Sequence, residues 1–219
     1  QRGINLIDTS SNYADGGSER LIGEVLTELV QAGSVRREEV VLVSKVGYLQ
    51  NSNLRLRQER RQAGKDFAEV VPYAPTLEHC IHPDFLDEQL ELSLQRLQIT
   101  CLDGFLLHNP EYYLLWALQQ GMPIPEARAE YVRRLNQAIA WLEKAADLGR
   151  IAWYGVSSNT FPRAADDSQR TPLEAIWQAA CQAGGEEHHL GILQFPCNLL
   201  EPAAAIVPAW PQERTLLEY

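Results

Sequence analysis

The sequence lacks the features that mark disulfide-rich, zinc-binding and membrane-spanning proteins. Its 219 residues include only four cysteines, Cys80, Cys101, Cys181 and Cys197, and no two of them form a C-x-x-C pair. This spacing disfavours a disulfide framework or a zinc site, so we expect reduced, buried thiols and a cytoplasmic location. No apolar run approaches the roughly 18 residues that a membrane-spanning helix needs.

Positive charge is also scarce. Asp and Glu number 29 against 19 Lys and Arg, which gives a formal net charge of -10. Such a surface is poorly suited to nucleic acid or anionic lipid, because both partners carry negative charge. The hydrophobic content of 45% and the charged content of 22% are ordinary for a globular domain. Composition therefore favours a protein that acts on a small molecule, and it leaves the oligomeric state open.

Five short, apolar runs rich in β-branched residues predict strands. They cover residues 4–9, 40–46, 102–108, 151–157 and 190–195. Their apolar residues are mostly consecutive, which is typical of strands buried on both faces in a parallel sheet. Helical patterns lie between them: Ser18 should cap the first helix, Pro83 should start the second, the third follows Pro125 and stops at Gly149, the fourth covers 172–183, and a fifth begins near Gln212.

Alternation of strand and helix predicts an α/β fold, either an open doubly wound sheet or a (β/α)8 barrel. Polar residues stand at the carboxyl ends of four predicted strands, namely Asp8, Lys45, His108 and Ser157. A barrel brings such ends into one ring where catalytic groups collect, whereas an open sheet spreads them apart. No G-x-G-x-x-G motif follows a strand, so a Rossmann dinucleotide site has no support. The barrel is the favoured arrangement.

Two stretches interrupt the pattern and are predicted to be irregular. Residues 48–80 hold five basic side chains, Arg55, Arg57, Arg60, Arg61 and Lys65, which suit either a solvated loop or a mouth that attracts an anionic substrate. Residues 109–123 hold Tyr112, Tyr113 and Trp116, which suit either a substrate wall or helix packing.

The four polar groups nearest the strand ends can be explained singly as structural residues. Asp8 can close a turn, and His108 can be a hydrogen-bonded core histidine. Lys45 directly follows a buried strand, so its ammonium needs a carboxylate, and the strand order offers Asp8. A phenol such as that of Tyr13 becomes a usable acid beside a lysine cation. Together these groups suit proton transfer to a carbonyl oxygen that gains charge during reduction.

Six segments then occur in one order along the chain. They are Gly3-Ile-Asn-Leu-Ile-Asp-Thr-Ser-Ser-Asn-Tyr13, Gly17-Ser-Glu-Arg-Leu-Ile-Gly23, Val43-Ser-Lys-Val46, Leu106-Leu-His108, Gly149-Arg-Ile-Ala-Trp-Tyr-Gly-Val-Ser-Ser158 and Gln194-Phe-Pro-Cys-Asn198. On these segments the chain resembles the aldo-keto reductases, and the resemblance covers nearly all of it. It implies NAD(P)H-dependent reduction of an aldehyde, ketone or sugar carbonyl, or the reverse oxidation.

The resemblance implies a role for each matching residue. The tyrosine matching Tyr13 donates the proton, the lysine matching Lys45 makes that phenol a stronger acid, and the aspartate matching Asp8 holds the lysine. The histidine matching His108 orients the substrate carbonyl. The cofactor is NADPH, with NADH as the other candidate, and its carboxamide is held at positions matching Ser157, Ser158 and Gln194. Where the family reads Gly-Val-Ser-Asn, this chain has Ser158 followed by Asn159, so either residue could serve.

Family barrels have eight strands, and the five predicted here match the second to the sixth. We therefore expect residues 1–219 to be one aldo-keto reductase-like barrel domain, truncated at both ends and inactive alone, which the missing initiator methionine supports. Neither Trp210 nor Tyr219 is assigned to the family's nicotinamide-stacking position. Two other functions remain open: a non-catalytic nucleotide-binding or regulatory module, and a metal-dependent barrel hydrolase using Asp8, His108 and His188 or His189.

Overall fold

The computed structural model describes residues 3–208 and 214–219, and its central feature is a parallel sheet. The strands of this sheet are β1 (Leu6–Asp8), β2 (Val41–Val46), β6 (Leu102–His108), β7 (Ile151–Ser157) and β8 (Leu190–Gln194). They lie in the order β1-β2-β6-β7-β8, and each neighbouring pair is parallel. This confirms the predicted α/β class and the incomplete (β/α)8 barrel. All five strands were predicted, with bounds that differ by up to two residues.

Four longer helices connect these strands. They are α1 (Gly17–Gln31), α3 (Pro83–Leu97), α5 (Ile124–Asp147) and α6 (Leu173–Gly184). Pro83 occupies the first turn of α3, as predicted, where its missing N–H leaves no helical bond unmade. The leucine stripe of α3 is buried because its members recur at helical spacing and face the sheet: Leu86, Leu90, Leu94 and Leu97. The helix predicted near Gln212 begins outside the described residues.

The start of α1 differs from the prediction. Gly16, not Ser18, is the N-cap, and the Ser18 hydroxyl lies 2.7 Å from the Thr9 hydroxyl instead. The reason is a turn in which Ala14, Asp15 and Gly16 all have positive φ, which brings the chain into helical geometry two residues early.

The segment over residues 48–80 is ordered, so its prediction as an irregular loop is wrong. It contains β3 (Tyr48–Leu49), α2 (Asn51–Gln62), β4 (Val71–Ala74) and β5 (Leu77–His79), and its strands form an antiparallel sheet in the order β3-β5-β4. The helix α2 has no apolar stripe, and ion pairs attach it to its neighbours. Arg57 pairs with Asp66 at 2.9 Å and with Glu78 at 2.5 Å, and Arg60 pairs with Glu88 at 2.6 Å. These arginines therefore do not support a substrate-attracting mouth.

The segment over residues 109–123 also contains a helix, α4 (Tyr112–Gln119), which the sequence did not predict. Tyr113 is buried and its ring stacks on Tyr131 of α5, so this aromatic serves helix packing. Tyr112 contacts the Tyr48 and Tyr73 rings at centroid distances of 5.4 and 4.5 Å. Tyr112 therefore packs against the segment of residues 48–80, whereas Tyr113 packs in the core.

The thiols only partly match the prediction. Cys80 is buried, but Cys181 and Cys197 are exposed, because they lie on the outer side of α6 and in the segment after β8. No two cysteines in the described part of the chain are bonded to each other. Within residues 3–208 and 214–219, no helix combines the length and apolarity that crossing a membrane requires.

Candidate active site

The carboxyl ends of β1, β2, β6 and β7 bring the predicted catalytic residues to one edge of the sheet. Asp8 is the last residue of β1 and pairs in register with Val43 of β2. His108 is the last residue of β6 and pairs with Ser157, the last residue of β7. Because parallel strands all end on the same side, residues that are far apart in sequence become neighbours here.

Lys45 is the most constrained residue of the group. The residue is 1% exposed, and its Nζ donates to Asp8 Oδ1 at 2.8 Å, to Asp8 Oδ2 at 2.7 Å and to the Thr9 carbonyl at 2.8 Å. A buried ammonium is stable only with such partners, because removing it from water is otherwise costly. The strand order had suggested this contact between Lys45 and Asp8, and the two carboxylate oxygens leave the lysine little freedom to move.

Tyr13 lies above this ion pair and is reachable from solvent. It begins a short 3-10 turn, Tyr13–Gly16, and is 40% exposed. The Lys45 Nζ lies 5.1 Å from the centre of the Tyr13 ring, and the His108 ring lies edge-on at 6.1 Å. The structure therefore brings together all four residues predicted to be catalytic, with the phenol on the open side.

His108 is nearly buried and neutral. Burial is the largest cause that lowers its pKa from 6.5 to about 3, and the charges of Lys45 and the neighbouring His79 act in the same direction. The ring contacts Tyr48 edge-on, with centroids 4.7 Å apart, and its Nδ1 lies 3.1 Å from the Ser10 hydroxyl. A neutral imidazole can present either a hydrogen-bond donor or an acceptor to a substrate oxygen, depending on its tautomer.

His79 supports His108 from below and was missed from the sequence. Its Nε2–H donates to the His108 carbonyl at 2.7 Å, and its ring stacks on Tyr112 with centroids 5.5 Å apart. A side chain at Gly47 would meet the His79 Nε2 at 2.5 Å, so glycine is required for this close approach. No sequence signal marked His79, because it falls in the segment predicted to be irregular.

Protonation of His79 should make the stability of the protein depend on pH. Burial lowers its folded-state pKa from 6.5 to about 4, so between these values the unfolded chain binds a proton that the folded chain excludes. His79 therefore contributes a loss of about 3 kcal/mol in stability as the pH falls from 6.5 to 4, and the buried His108 adds its own loss over the same range. We expect His79→Gln to remove the His79 part of this loss from urea unfolding curves and to leave the His108 part. The difference between variant and wild type at pH 7.5 measures the packing change alone, and an unchanged acid dependence would contradict the assignment.

The turn after Tyr13 is held by α2. Ala14 and Asp15 adopt left-handed conformations that residues with a Cβ rarely take. The Asp15 Oδ1 accepts hydrogen bonds from the Ser52 backbone N–H at 3.1 Å and from the Ser52 hydroxyl at 2.5 Å. These bonds hold the pKa of the Asp15 carboxyl below its usual value. The unusual backbone beside Tyr13 is thus fixed by contacts with the segment that the sequence did not explain.

The residues predicted to bind a cofactor lie at the ends of β7 and β8 with different accessibility. The Ser157 hydroxyl donates to Gln194 Oε1 at 2.7 Å. Ser158 is 1% exposed, and its hydroxyl lies 3.1 Å from Thr160 and 2.8 Å from Thr171, within a buried hydroxyl cluster. Asn159 has an exposed side chain. Geometry therefore favours Asn159 over Ser158 as the polar group available to a ligand.

Glu111 fixes the loop that carries Asn159 and was also missed from the sequence. Its Oε1 accepts the Asn159 backbone N–H at 2.9 Å, and the residue is only 2% exposed. Burial raises the pKa of this carboxyl. A link between the loops after β6 and β7 holds the predicted substrate-binding and cofactor-binding positions in a fixed relation.

The histidines proposed for a hydrolase lie at the opposite end of the sheet. His188 and His189 directly precede β8, whereas the group around Lys45 lies at the carboxyl ends of the strands. In the described residues one group could hold a metal ion: Glu143, Asp147 and His189 have ligand atoms within 4.8 Å of one another. Glu143 is already bonded to His189 Nδ1 and to the Tyr154 hydroxyl, each at 2.6 Å. This geometry gives the hydrolase hypothesis no support.

The fold is an incomplete (β/α)8 barrel, and its carboxyl edge carries the paired Lys45 and Asp8, a phenol and a buried imidazole. The sequence profile of the aldo/keto reductase family matches residues 1–173. The chain therefore belongs to the aldo/keto reductase family, as its motifs predicted.

Individual relatives agree with this membership. The methylglyoxal reductase YeaE of Escherichia coli is 54% identical over 202 residues, which cover 90% of this chain and 48% of that protein. The NADP(+) aldo-keto reductase yakc of Schizosaccharomyces pombe is 27% identical over 166 residues, covering 74% of this chain and 36% of that protein. A glycerol dehydrogenase from Gluconobacter oxydans superposes with a TM-score of 0.56 at 22% identity, over 94% of this chain and 46% of that enzyme, which shows the shared fold. The chain spans less than half the length of each of them.

Proposed function

We propose that this chain carries the catalytic centre of an NAD(P)H-dependent reductase of aldehydes, ketones or sugars, which also runs in reverse. The observation that carries the proposal is the buried Lys45, held by Asp8 and lying 5.1 Å from the ring of the exposed Tyr13. A cation fixed beside a phenol stabilises the phenolate that remains after proton transfer. This arrangement suits a general acid that acts on a substrate oxygen.

The residues divide the reaction between them. The Tyr13 hydroxyl gives its proton to the carbonyl oxygen as that oxygen becomes an alcohol. Lys45 stabilises the resulting phenolate, and Asp8 keeps the lysine in position. His108 binds the same oxygen through its free ring nitrogen and so orients the carbonyl carbon. In the reverse direction the Tyr13 phenolate takes the alcohol proton.

A nicotinamide fits the polar groups at the ends of β7 and β8. A carboxamide offers one acceptor and two donor hydrogens; Gln194 retains a free amide N–H and Ser157 retains hydroxyl lone pairs after their mutual bond. Asn159 adds an exposed amide. The reduced nicotinamide supplies a hydride to the carbonyl carbon when bound. NADPH is the preferred cofactor in this proposal because the Schizosaccharomyces pombe relative yakc is named as an NADP(+) enzyme. NADH is the second candidate because an NADH-specific methylglyoxal reductase of Escherichia coli is 32% identical over 108 residues.

We also propose that residues 1–219 form one barrel domain that needs further strands to be active. In the described residues, β1 pairs only with β2, and β8 pairs only with β7. Apolar side chains are exposed beside both open edges, including Leu21 at 62% and Trp177 at 55%. A groove of about 690 Å³ next to β8 is lined by Trp177, Leu193 and Phe195. Exposed apolar edges of this kind favour pairing with further strands.

The test is an assay of NADPH oxidation with methylglyoxal and with a simple aldehyde, run on residues 1–219 and on the full-length protein that contains them. We expect turnover by the full-length protein and little or none by the isolated chain. Tight NADPH binding by the full-length protein with neither carbonyl reduced nor an alcohol oxidised would instead favour the non-catalytic module. Full activity of residues 1–219 would overturn the proposal that further strands are needed.

A further inference from the structure

Ser10 contacts both His108 and Asn12, and the proposed reaction gives it no role. It is fully buried, and its Oγ lies 2.6 Å from Asn12 Oδ1, 3.1 Å from His108 Nδ1 and 3.3 Å from the Lys45 carbonyl. A hydroxyl has one proton to donate and two lone pairs to accept with. Ser10 can donate a full-strength hydrogen bond to only one of these partners. The direction of that bond therefore decides whether each remaining partner must donate to Ser10.

The closest partner determines the direction of the bonds. A carboxamide oxygen can only accept, so the contact of 2.6 Å with Asn12 Oδ1 requires Ser10 to donate there. Ser10 then has only lone pairs to offer to His108 Nδ1, and that nitrogen must carry a proton for the contact of 3.1 Å to be favourable. In this arrangement His108 is the Nδ1–H tautomer, and its Nε2 is a hydrogen-bond acceptor.

The chain of hydrogen bonds extends from Asn12 to Gln50, the N-cap of α2. The Asn12 Nδ2 donates to Gln50 Oε1 at 3.2 Å. If the Asn12 amide turns over, its nitrogen faces Ser10 and its oxygen faces Gln50, and the Gln50 amide must turn as well to supply a donor. Ser10 is then free to donate to His108 Nδ1, which places the ring proton on Nε2. The same atoms make the same number of hydrogen bonds in both arrangements, so the chain has two states of opposite direction.

Only one tautomer suits the proposed reaction. A carbonyl oxygen accepts hydrogen bonds, so His108 must present Nε2–H to it, and by microscopic reversibility the same form serves alcohol oxidation. His108 does not escape the choice by becoming charged, because burial holds its pKa at about 3. The Nδ1–H form places two acceptors face to face and weakens substrate binding.

We propose that Ser10 is a positioning residue, and that the hydrogen-bond chain Ser10, Asn12 and Gln50 selects the tautomer of His108. This inference rests on the proposed function, since it assigns the orienting role to one form of His108. The resting direction gives the Nδ1–H form, and turning the two amides gives the form that binds a carbonyl. The fraction of protein in the second form scales the apparent affinity for the carbonyl substrate.

The test uses substitutions at position 50, which lies outside the catalytic group. Glu can only accept and Lys can only donate, so Gln50→Glu should fix the resting direction and Gln50→Lys should reverse it. We would label the histidines of the full-length protein with ¹⁵N and read the tautomer of His108 from its two ring-nitrogen resonances at pH 7.5. Gln50→Glu is expected to show Nδ1–H and Gln50→Lys to show Nε2–H. Gln58→Glu is the control: it adds the same charge on the exposed face of α2, at a residue that does not belong to the hydrogen-bond chain. Its spectrum should match that of the wild type.

Two further variants keep the result interpretable. Ser10→Thr keeps the hydroxyl and should keep the wild-type tautomer, whereas Ser10→Ala should release it from the control of position 50. In the full-length protein, Gln50→Glu is expected to raise KM for the carbonyl at least threefold over Gln50→Lys, with KM for NADPH unchanged. One tautomer of His108 in both position-50 variants would overturn the inference even if the enzyme reduces carbonyls. Opposite tautomers in a protein that reduces no carbonyl would leave tautomer selection intact and refute only the proposed function.

Discussion

Replacing Tyr13 with phenylalanine in the full-length protein is expected to lower kcat for carbonyl reduction by about 10² to 10⁴, the range that a positioned general acid contributes. The substitution removes one oxygen from a side chain that is 40% exposed, so the packing around it should barely change. On the proposed mechanism the phenol donates its proton in the transition state and contributes little to ground-state binding, so KM should change much less than kcat. Steady-state kinetics with methylglyoxal at saturating NADPH measures both quantities.

The matched control for this prediction is Tyr73→Phe. Tyr73 also belongs to the aromatic group, where its ring packs against Tyr112, but no contact places it near Lys45. We expect Tyr73→Phe to retain wild-type kcat within a few-fold. Tyr48 cannot replace the missing acid, because burial raises the pKa of its phenol and its oxygen accepts a hydrogen bond from Asn109. Substantial turnover by Tyr13→Phe would refute the role assigned to Tyr13.

Replacing Lys45 with methionine is expected to damage both stability and activity. The change leaves the Asp8 carboxylate without its cation and the Thr9 carbonyl without its donor. Removing one partner of a fully buried pair costs about 3 to 5 kcal/mol, and since the Asp8 side chain is 35% exposed, water should reduce the loss to about 2 to 3 kcal/mol. Loss of the cation beside Tyr13 should also lower kcat by about 10² or more.

A second variant separates the two effects of Lys45. Asp8→Asn combined with Lys45→Met removes both charges, so the unpaired carboxylate is gone and much of the lost stability should return. Activity should not return with it, because the phenolate still lacks its stabilising cation. Unfolding in urea and kcat of the two single variants and the double variant complete the cycle. Recovery of activity together with stability would show that Lys45 acts only as a structural residue.

The sequence predicted the parts of the site that follow from strand order. Asp8, His108 and Ser157 end their strands and Lys45 is the next-to-last residue of β2, and parallel strands bring their carboxyl ends to one edge, so the proximity of these residues required no side-chain detail. The leucine stripe of α3 was equally predictable, since burial at helical spacing is a property of one segment alone. Motifs within the same segments then indicated the family.

What the sequence did not predict depends on contacts between segments. The helix α2 has no apolar periodicity, so it was predicted to be a loop. Ion pairs such as Arg57 with Glu78 hold this helix in place instead of an apolar face. His79 lies in that segment, so its hydrogen bond to the His108 carbonyl had no sequence signal. Ser10 lies inside a recognised motif, but its importance depends on which atoms of Asn12 and His108 surround one hydroxyl.

The left-handed residues after Tyr13 show the same limit. Ser18 was predicted as the helix cap because serine is a preferred capping residue ahead of an apolar stripe, whereas Ala14 and Asp15 in fact adopt left-handed backbone just before it. Their conformation depends on Asp15 bonding to Ser52 in a segment 37 residues away. Local propensity contains no information about such a partner, so the start of α1 could be predicted only to within two residues.

The measurement that tests the central claim most directly follows the hydride into the product. The full-length protein would be incubated with methylglyoxal and NADPH deuterated at both C4 positions of the nicotinamide, and the alcohol would be examined by mass spectrometry. The account predicts one deuterium on the carbon that was the carbonyl, with wild-type protein and not with Tyr13→Phe at equal times. An alcohol without deuterium, or no alcohol although NADPH binds, would contradict the assignment of a carbonyl reductase.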